Sequence, residues 1–349
     1  MRQRTPSRSH ASVSDAVAPG GHGDPADRPS TMGEFELIRR FFDRGPARHA
    51  ELGLGDDCAL LTRRGPDTTL AITTDMLVGG RHFLEGTDPE ALGHKALAVN
   101  LSDLASMGAS PLAFTLALAL PRVDEAWLGA FSRGLFALAD RFDCELIGGD
   151  TTRGPLNLCI TAIGELPAGS ALRRDRAEPG DDLWVSGELG GAALALASLR
   201  EPHPPATGSP ALGRLERPEP RVALGVALRH LARAAIDVSD GLIGDLGHIC
   251  ERSRVGAEVD WPAVPLAAGL ASVAAARRPA LALAGGDDYE LLFTAAPENR
   301  DSIEALGRAP AAPLRLTRIG RIVASSGVRI LDARGVAMAI DARGYDHFG

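Results

Sequence analysis

Lysine is almost absent from this chain: of 37 basic residues only Lys95 is a lysine, and the rest are arginines. A phosphate-binding P-loop ends in Gly-Lys-Ser/Thr, whereas Lys95 stands in Gly93-His94-Lys95-Ala96, which excludes a P-loop NTPase. A basic surplus is lacking too. The 45 acidic residues against 37 basic ones leave a net charge of −8, so bulk charge attracts neither nucleic acid nor an anionic membrane. There are 4 cysteines, Cys58, Cys144, Cys159 and Cys250, with no Cys-x-x-Cys pair. A zinc site or a disulfide framework therefore has no support, and a reducing compartment, the cytoplasm, is expected. No apolar run reaches the roughly 18 residues of a membrane span, and the N-terminus lacks the apolar core of a secretory signal.

What is present is an ordinary globular composition, 45% hydrophobic and 23% charged over 349 residues, long enough for two domains. Residues 1–33 contain no Leu, Ile or Phe and cannot bury enough apolar surface to offset their ordering entropy. They are expected to form a disordered tail, with Met32 as an alternative start. A first α/β domain is expected over residues 34–170 and a second over 171–349. In the first, a helix over 34–42 precedes a glycine turn into a short apolar strand ending at Leu61. Thr68–Asp75 reads as a strand ending on Asp75, and Pro89–Met107 as an Ala- and Leu-rich helix. Strand 112–120, a helix capped by Asp124, strand 144–147 running into Gly148-Gly149-Asp150, and strand 156–163 complete it. After Pro179-Gly180 the pattern restarts: strand 183–186, helices at 191–199 and 222–231, and strand Ala235-Ile236-Asp237. A helix to Glu251 capped by Ser239 or Asp240 follows, then strands near 255–260, 290–294 and 315–323.

Asp57, Asp75, Asp103, Asp150, Asp237 and Asp240 all fall beside a predicted strand end or helix start. Singly, each is an ordinary turn residue or N-cap. Jointly, strand ends on one side of an α/β sheet converge and would gather them. Like charges at about 4 Å repel by roughly 4 kcal/mol at an effective dielectric of 20, so a converged set demands protons or cations. All-oxygen ligation selects a hard ion such as Mg²⁺, which bridges carboxylates to phosphates and so makes a nucleoside triphosphate the natural second component. The hydroxyls of Thr73, Thr74 and Ser239 add oxygens at the same places. His82 alone reads as an exposed loop histidine, and Arg174, within Arg173-Arg174-Asp175-Arg176, as part of a solvated charge run.

The segments GEFELIRRFFDR, LGLGDDCALL, ITTDMLVGGRHF, KALAVNLSDLASMGASP, LIGGDTTRGPL, IDVSDGLIGDLGHI, GGDDYELLF and GYDHF resemble the thiamine-monophosphate kinases, in order and with similar spacing, from about residue 33 onward. The resemblance implies a two-domain α/β fold shared with aminoimidazole ribonucleotide synthetase and selenophosphate synthetase, a PurM-like fold, paired as a homodimer through N-terminal domains. It implies ATP and thiamine monophosphate as substrates, with Mg²⁺. It makes Asp57, Thr73, Thr74, Asp75, Asp103, Asp150, Asp237 and Asp240 Mg²⁺ ligands, directly or through water. Gly149, Asp150, Arg174 and Ser239 fall near ATP, and His82, Asp287 and Tyr345 near the thiamine phosphate. The family's usual Gly-Gly-Glu-Asp is here Gly285-Gly286-Asp287-Asp288, one methylene shorter. A phosphate monoester, with a second pKa near 6, is already largely a dianion at pH 7, so no general base is expected and transfer would be direct and in line.

Overall fold

A computed structural model of the chain describes residues 34–45, 48, 50–52, 60–61, 65, 67–206, 210–308 and 313–340. The proposed tail, Asp57 and Tyr345 lie outside the described residues. Helix α1 (Glu34–Phe41) leads to the short pair β1 (Ala50–Leu52) and β2 (Leu60–Leu61). Then follow β3 (Thr68–Val78), α2 (Pro89–Ser106), β4 (Ser110–Leu120), α3 (Glu125–Arg141), β5 (Glu145–Arg153) and β6 (Asn157–Pro167). Strands β3 to β6 form one sheet in the order β3-β6-β4-β5, antiparallel except for the β4/β5 pair.

The remaining elements are β7 (Asp182–Ser186), α4 (Gly191–Ser198), α5 (Gly213–Glu216), α6 (Val222–Leu228), β8 (Ala234–Asp237), α7 (Leu242–Ser253) and β9 (Gly256–Asp260). They continue with α8 (Arg278–Leu283), β10 (Leu291–Ala295), α9 (Arg300–Gly307), β11 (Leu316–Val323) and β12 (Gly327–Leu331). The second sheet runs β12-β9-β11-β7-β10-β8, and only β12/β9 is parallel. Strand β12 and helices α8 and α9 have no counterpart in the sequence reading.

Helix α2 is the axis of the molecule. Asp88 accepts a hydrogen bond from the Glu90 N–H, and Pro89 fills the first helical position, where a missing N–H costs nothing. Its Ala and Leu residues are buried around nearly the whole circumference, the pattern of a helix covered on all sides. It packs on β3 and β6 on one side and on β8 and α6 on the other, so it lies between the two sheets. One apolar core accordingly runs from Leu97, Leu101 and Phe131 to Trp184 and Phe293 of the second sheet, while a second core lies beneath α7.

Two predicted boundaries are corrected. Strand β3 continues three residues past Asp75 because Val78 still pairs with Asn157 of β6. Strand β5 runs through Gly148-Gly149-Asp150 to Arg153, which pairs with Leu120. A Cβ on Gly149 would stand 2.0 Å from the Leu116 carbonyl oxygen, so this glycine serves a close approach of strands rather than a turn. Both aspartates therefore sit inside strands. Since the sheets are mainly antiparallel, successive strand ends point to opposite edges, and no single edge gathers the carboxylates.

Candidate functional site

The acidic residues are brought together by one turn of α2. Asn100, fully buried, accepts from the Asp75 N–H through Oδ1 at 3.2 Å. Ser102 donates to Asp237 Oδ2 at 2.7 Å, and the Thr73 hydroxyl donates to Asp103 Oδ2. Residues 100–103 thus tie β3 of the first sheet to β8 of the second. Thr73 and Asp75, two residues apart, share the face of β3 that meets α2.

The carboxylates press on one another. Burial first, and then the charges of Asp103 and Asp240, push the Asp75 carboxyl up to about 7. Burial raises Asp103, opposed by the Thr73 hydrogen bond and the field of Arg174. Burial and the Asp103 charge raise Asp237 strongly, against the Ser102 hydrogen bond. Asp245 is pushed up to about 7 by burial and then by Asp240. Its Oδ2 accepts the N–H groups of Ser239, Asp240 and Gly241, each at 3.1 Å. The expected cap is thereby corrected: neither Ser239 nor Asp240 caps α7 with its side chain. The N-cap is Gly241, and Asp245 reaches back from the first turn to hold the loop.

Two clefts flank this acidic wall. The larger, of about 790 Å³, is lined by Asp75, His82, Lys95, Ser239, Asp240 and Asp287 opposite an apolar side that includes Ala193, Leu196 and Leu281. His82 Nδ1 accepts the Val78 N–H at 3.0 Å, which in the neutral ring leaves the proton on Nε2. The second cleft, of about 710 Å³, is lined by Thr73, Asp103, Arg173, Arg174, His248 and Arg252 among others. Arg174 thus opens on the second cleft, and Ser239 on the first.

The loop Gly285–Tyr289 is pinned. The Asp287 N–H donates to the Ser239 carbonyl and the Tyr289 N–H to the Val238 carbonyl, both at 2.8 Å. A Cβ on Gly286 would lie 2.3 Å from the Ser239 oxygen, and one on Gly285 at 2.3 Å from the Leu281 oxygen. Asp287 and Tyr289 take φ of 68° and 50°, a left-handed conformation costly for non-glycine residues and typical of held functional loops. Asp288 is buried and accepts from the Gly190 and Ala192 N–H groups at the start of α4, with burial pushing it up to about 7.

The arrangement brings Thr73, Asp75, Asp103, Asp237 and Asp240 together, with Ser239, His82 and Asp287 around the first cleft and Arg174 in the second. It does not bring Thr74 and Asp150 to them. Thr74 shares a hydrogen bond with Thr161 at 2.9 Å, and the register puts Asp150 in line with Ala117, Cys159 and Met76, on the sheet face turned from α2. Gly149 is inside β5. Among the described residues, no group of three or more His, Cys, Asp or Glu side chains is placed to hold a metal ion; Asp57, one member of the expected set, lies outside them. The sequence reading missed Lys95, Asn100, Ser102, Asp245, Asp288 and Tyr289. For Lys95, Asn100 and Ser102 the signal was available as polar residues within the Ala- and Leu-rich helix α2 and as the one lysine of the chain; Asp245, Asp288 and Tyr289 carried no such signal.

Comparison with known proteins extends across both sheets. Residues 55–166 match the AIR synthase related protein N-terminal domain and residues 178–333 the corresponding C-terminal domain. The thiamine-monophosphate kinase of Salmonella typhimurium is 48% identical over 323 residues, covering 90% of this chain and 98% of that protein. The crystal structure of thiamine-monophosphate kinase from Stenotrophomonas maltophilia superposes with a TM-score of 0.78 at 48% identity, over 87% of this chain and 96% of that one. The structure of AaThiL complexed with AMPPCP and TMP follows with a TM-score of 0.70 at 29% identity, over 82% and 90% of the two chains. With both halves matched in order and nearly half of the aligned residues identical, this chain belongs to the thiamine-monophosphate kinase family, within the AIR synthase related proteins.

Proposed function

We propose that this protein transfers the γ-phosphoryl group of ATP to thiamine monophosphate, giving ADP and thiamine diphosphate, as a step of thiamine diphosphate biosynthesis. The observation that carries this is the pair of clefts on either side of one row of mutually repelling carboxylates. The cleft with Arg173, Arg174 and Arg252 suits a polyphosphate, since guanidinium groups pair with phosphate oxygens. The cleft with an apolar wall and His82, Ser239 and Asp287 suits a flat heteroaromatic with a phosphate at one end. The related structure holding both AMPPCP and TMP supports the same pair of substrates.

The acceptor phosphate is a dianion near neutral pH, so the protein's task is to align two polyanions and exclude competing geometries. We assign Mg²⁺ to the oxygen-only donors Asp75, Asp103, Asp237 and Asp240, with Thr73 and Asp57 as further oxygens, because a cation would relieve the neighbouring charges that raise Asp75 and Asp237; the described carboxylates would have to close around the ion. Bound there, Mg²⁺ would screen the repulsion between the phosphates. Thr74 and Asp150, on the other sheet face, take no part in this assignment. Tyr345 is proposed to stack on the cationic heterocycle.

The same proposal divides the chain near residue 170, between the end of β6 at Pro167 and the start of β7 at Asp182. It pairs two copies through the first sheet, where Ile72 and Met76 are 66% and 53% exposed. It also places the protein in the cytoplasm; among the described residues no helix is long and apolar enough to cross a membrane. Incubation with Mg-ATP and thiamine monophosphate, with products resolved chromatographically, tests the activity. Thiamine diphosphate and ADP in equal amounts are expected, and ADP without thiamine diphosphate refutes the assignment.

A further inference from the structure

The one lysine of the chain is buried in the site. Lys95 is 4% exposed on α2, in a protein whose other cations are all arginines. Its Nζ lies 3.2 Å from Asp287 Oδ1. The same Oδ1 accepts the Tyr289 hydroxyl at 3.1 Å. Both contacts converge on one oxygen, and no hydrogen bond from a described residue reaches Oδ2. Asp287 lines the first cleft together with Lys95 and Tyr289, and its loop is fixed by the glycine approaches and backbone hydrogen bonds described above.

A carboxylate with one oxygen clamped by a cation and a phenol has its rotation about χ2 removed, and its second oxygen is left as an oriented acceptor. The pairing also neutralises the carboxylate, so an acceptor is presented beside the apolar side of the cleft without an unpaired charge in it. We propose that Lys95 and Tyr289 are positioning residues for Asp287: they aim its Oδ2 at an N–H donor on the heteroaromatic part of the acceptor substrate. This would offset the short reach of aspartate at a position where the family commonly carries glutamate. The inference rests on the proposed thiamine monophosphate reaction for the identity of the substrate. A lysine fits this role where an arginine would not, because a compact ammonium addresses a single oxygen whereas a guanidinium fork engages both.

The test uses the full chain with Lys95→Met, Lys95→Arg, Tyr289→Phe, Asp287→Asn and the Lys95→Met/Asp287→Asn pair. Thiamine monophosphate binding is measured by calorimetry and both KM values by steady-state kinetics. Lys95→Met is expected to weaken thiamine monophosphate binding and raise its KM by about 10-fold, the loss expected for one charge-assisted hydrogen bond, with KM for ATP within about 2-fold. Tyr289→Phe keeps the ring and should raise the same KM by about 2- to 5-fold. Lys95→Arg should fall between wild type and Lys95→Met. Added to Asp287→Asn, Lys95→Met should cause little further loss, because it acts through that carboxylate. A fall in kcat with unchanged thiamine monophosphate binding would place Lys95 on the transferring phosphate and overturn the inference. Additive losses in the double variant would overturn it as well. If Lys95→Met does not fold, as its melting curve would show, Tyr289→Phe and Lys95→Arg decide on the same criteria. A wild type that binds thiamine monophosphate without phosphorylating it defeats the proposed reaction alone, and the binding series still judges the positioning role.

Discussion

The two clefts border the same acidic wall and are built in opposite ways. The second is faced by arginines on loop and helix surface. Arg173 forms a two-pronged pair with Asp175 at 2.8 and 2.5 Å while its side chain remains 51% exposed. The first is faced by a loop held through glycine approaches, two left-handed residues, a buried aspartate bonded to the start of α4, and the buried Lys95. Long exposed cations tolerate variation in the position of a polyphosphate, because charge attraction falls off gradually with distance. A flat heterocycle that must be told from similar rings needs fixed donors and acceptors, since discrimination comes from polar groups that the wrong ligand leaves unpaired. Rigidity is therefore concentrated where recognition is demanding.

The largest effect is expected at the wall that both clefts share. Asp75→Asn or Asp240→Asn should lower kcat by roughly 10²- to 10⁴-fold, the range for removing an electrostatic group from a charged transition state, with smaller changes in either KM. Excess chelator should abolish turnover in the wild type. Near-normal kcat in both variants would return these residues to a purely structural role.

Next in size is a pH dependence of the metal-free protein. Asp75, Asp245 and Asp288 are each pushed up to about 7 by burial, from an ordinary value of 3.8. Between about pH 4 and pH 7 the folded state then binds more protons than the unfolded one, so stability falls as pH rises through that window. In chelator, Tm should be higher at pH 5 than at pH 7.5. Adding Mg²⁺ should raise Tm mainly at the higher pH, where Asp75 is charged. A Tm that climbs across this range would contradict the burial of these carboxyls.

Arg174→Ala should separate the two clefts by substrate. Losing one exposed phosphate partner should raise KM for ATP by roughly 3- to 30-fold and leave KM for thiamine monophosphate nearly unchanged, the reverse of the Lys95→Met pattern. Equal losses for both substrates would merge the two clefts into one. The smallest effect is expected from starting the chain at Met32. Residues 1–31 carry no Leu, Ile or Phe, so Tm and both KM values should stay within measurement error, and a drop of several degrees would show that the segment packs.

Local features of the sequence foretold a good part of this. The helical spacing of α2 and α3 and the Asp124 cap follow from short-range rules, because a cap is satisfied by N–H groups two or three residues away; Asp88 caps α2 by the same rule, unforeseen. The absence of a P-loop and the list of aspartates beside glycines were likewise readable one segment at a time. What a single segment does not contain is its partner. Asp75 and Asp150 read as strand ends because each closes an apolar or β-branched run, Asp150 directly after two glycines, yet the ladders with Asn157 and Leu120 carry both strands onward and turn Asp150 to the opposite face. Ser239 and Asp240 read as caps because they precede a helix, yet the competing oxygen of Asp245 takes all three N–H groups. Lys95 signified only a missing P-loop until folding set Asp287, far along the chain, 3.2 Å from its ammonium. Short-range hydrogen bonding and hydrophobic periodicity are written in neighbouring residues, whereas the pKa values, the two clefts and the clamp on Asp287 arise from groups that meet only when α2 is enclosed between the two sheets.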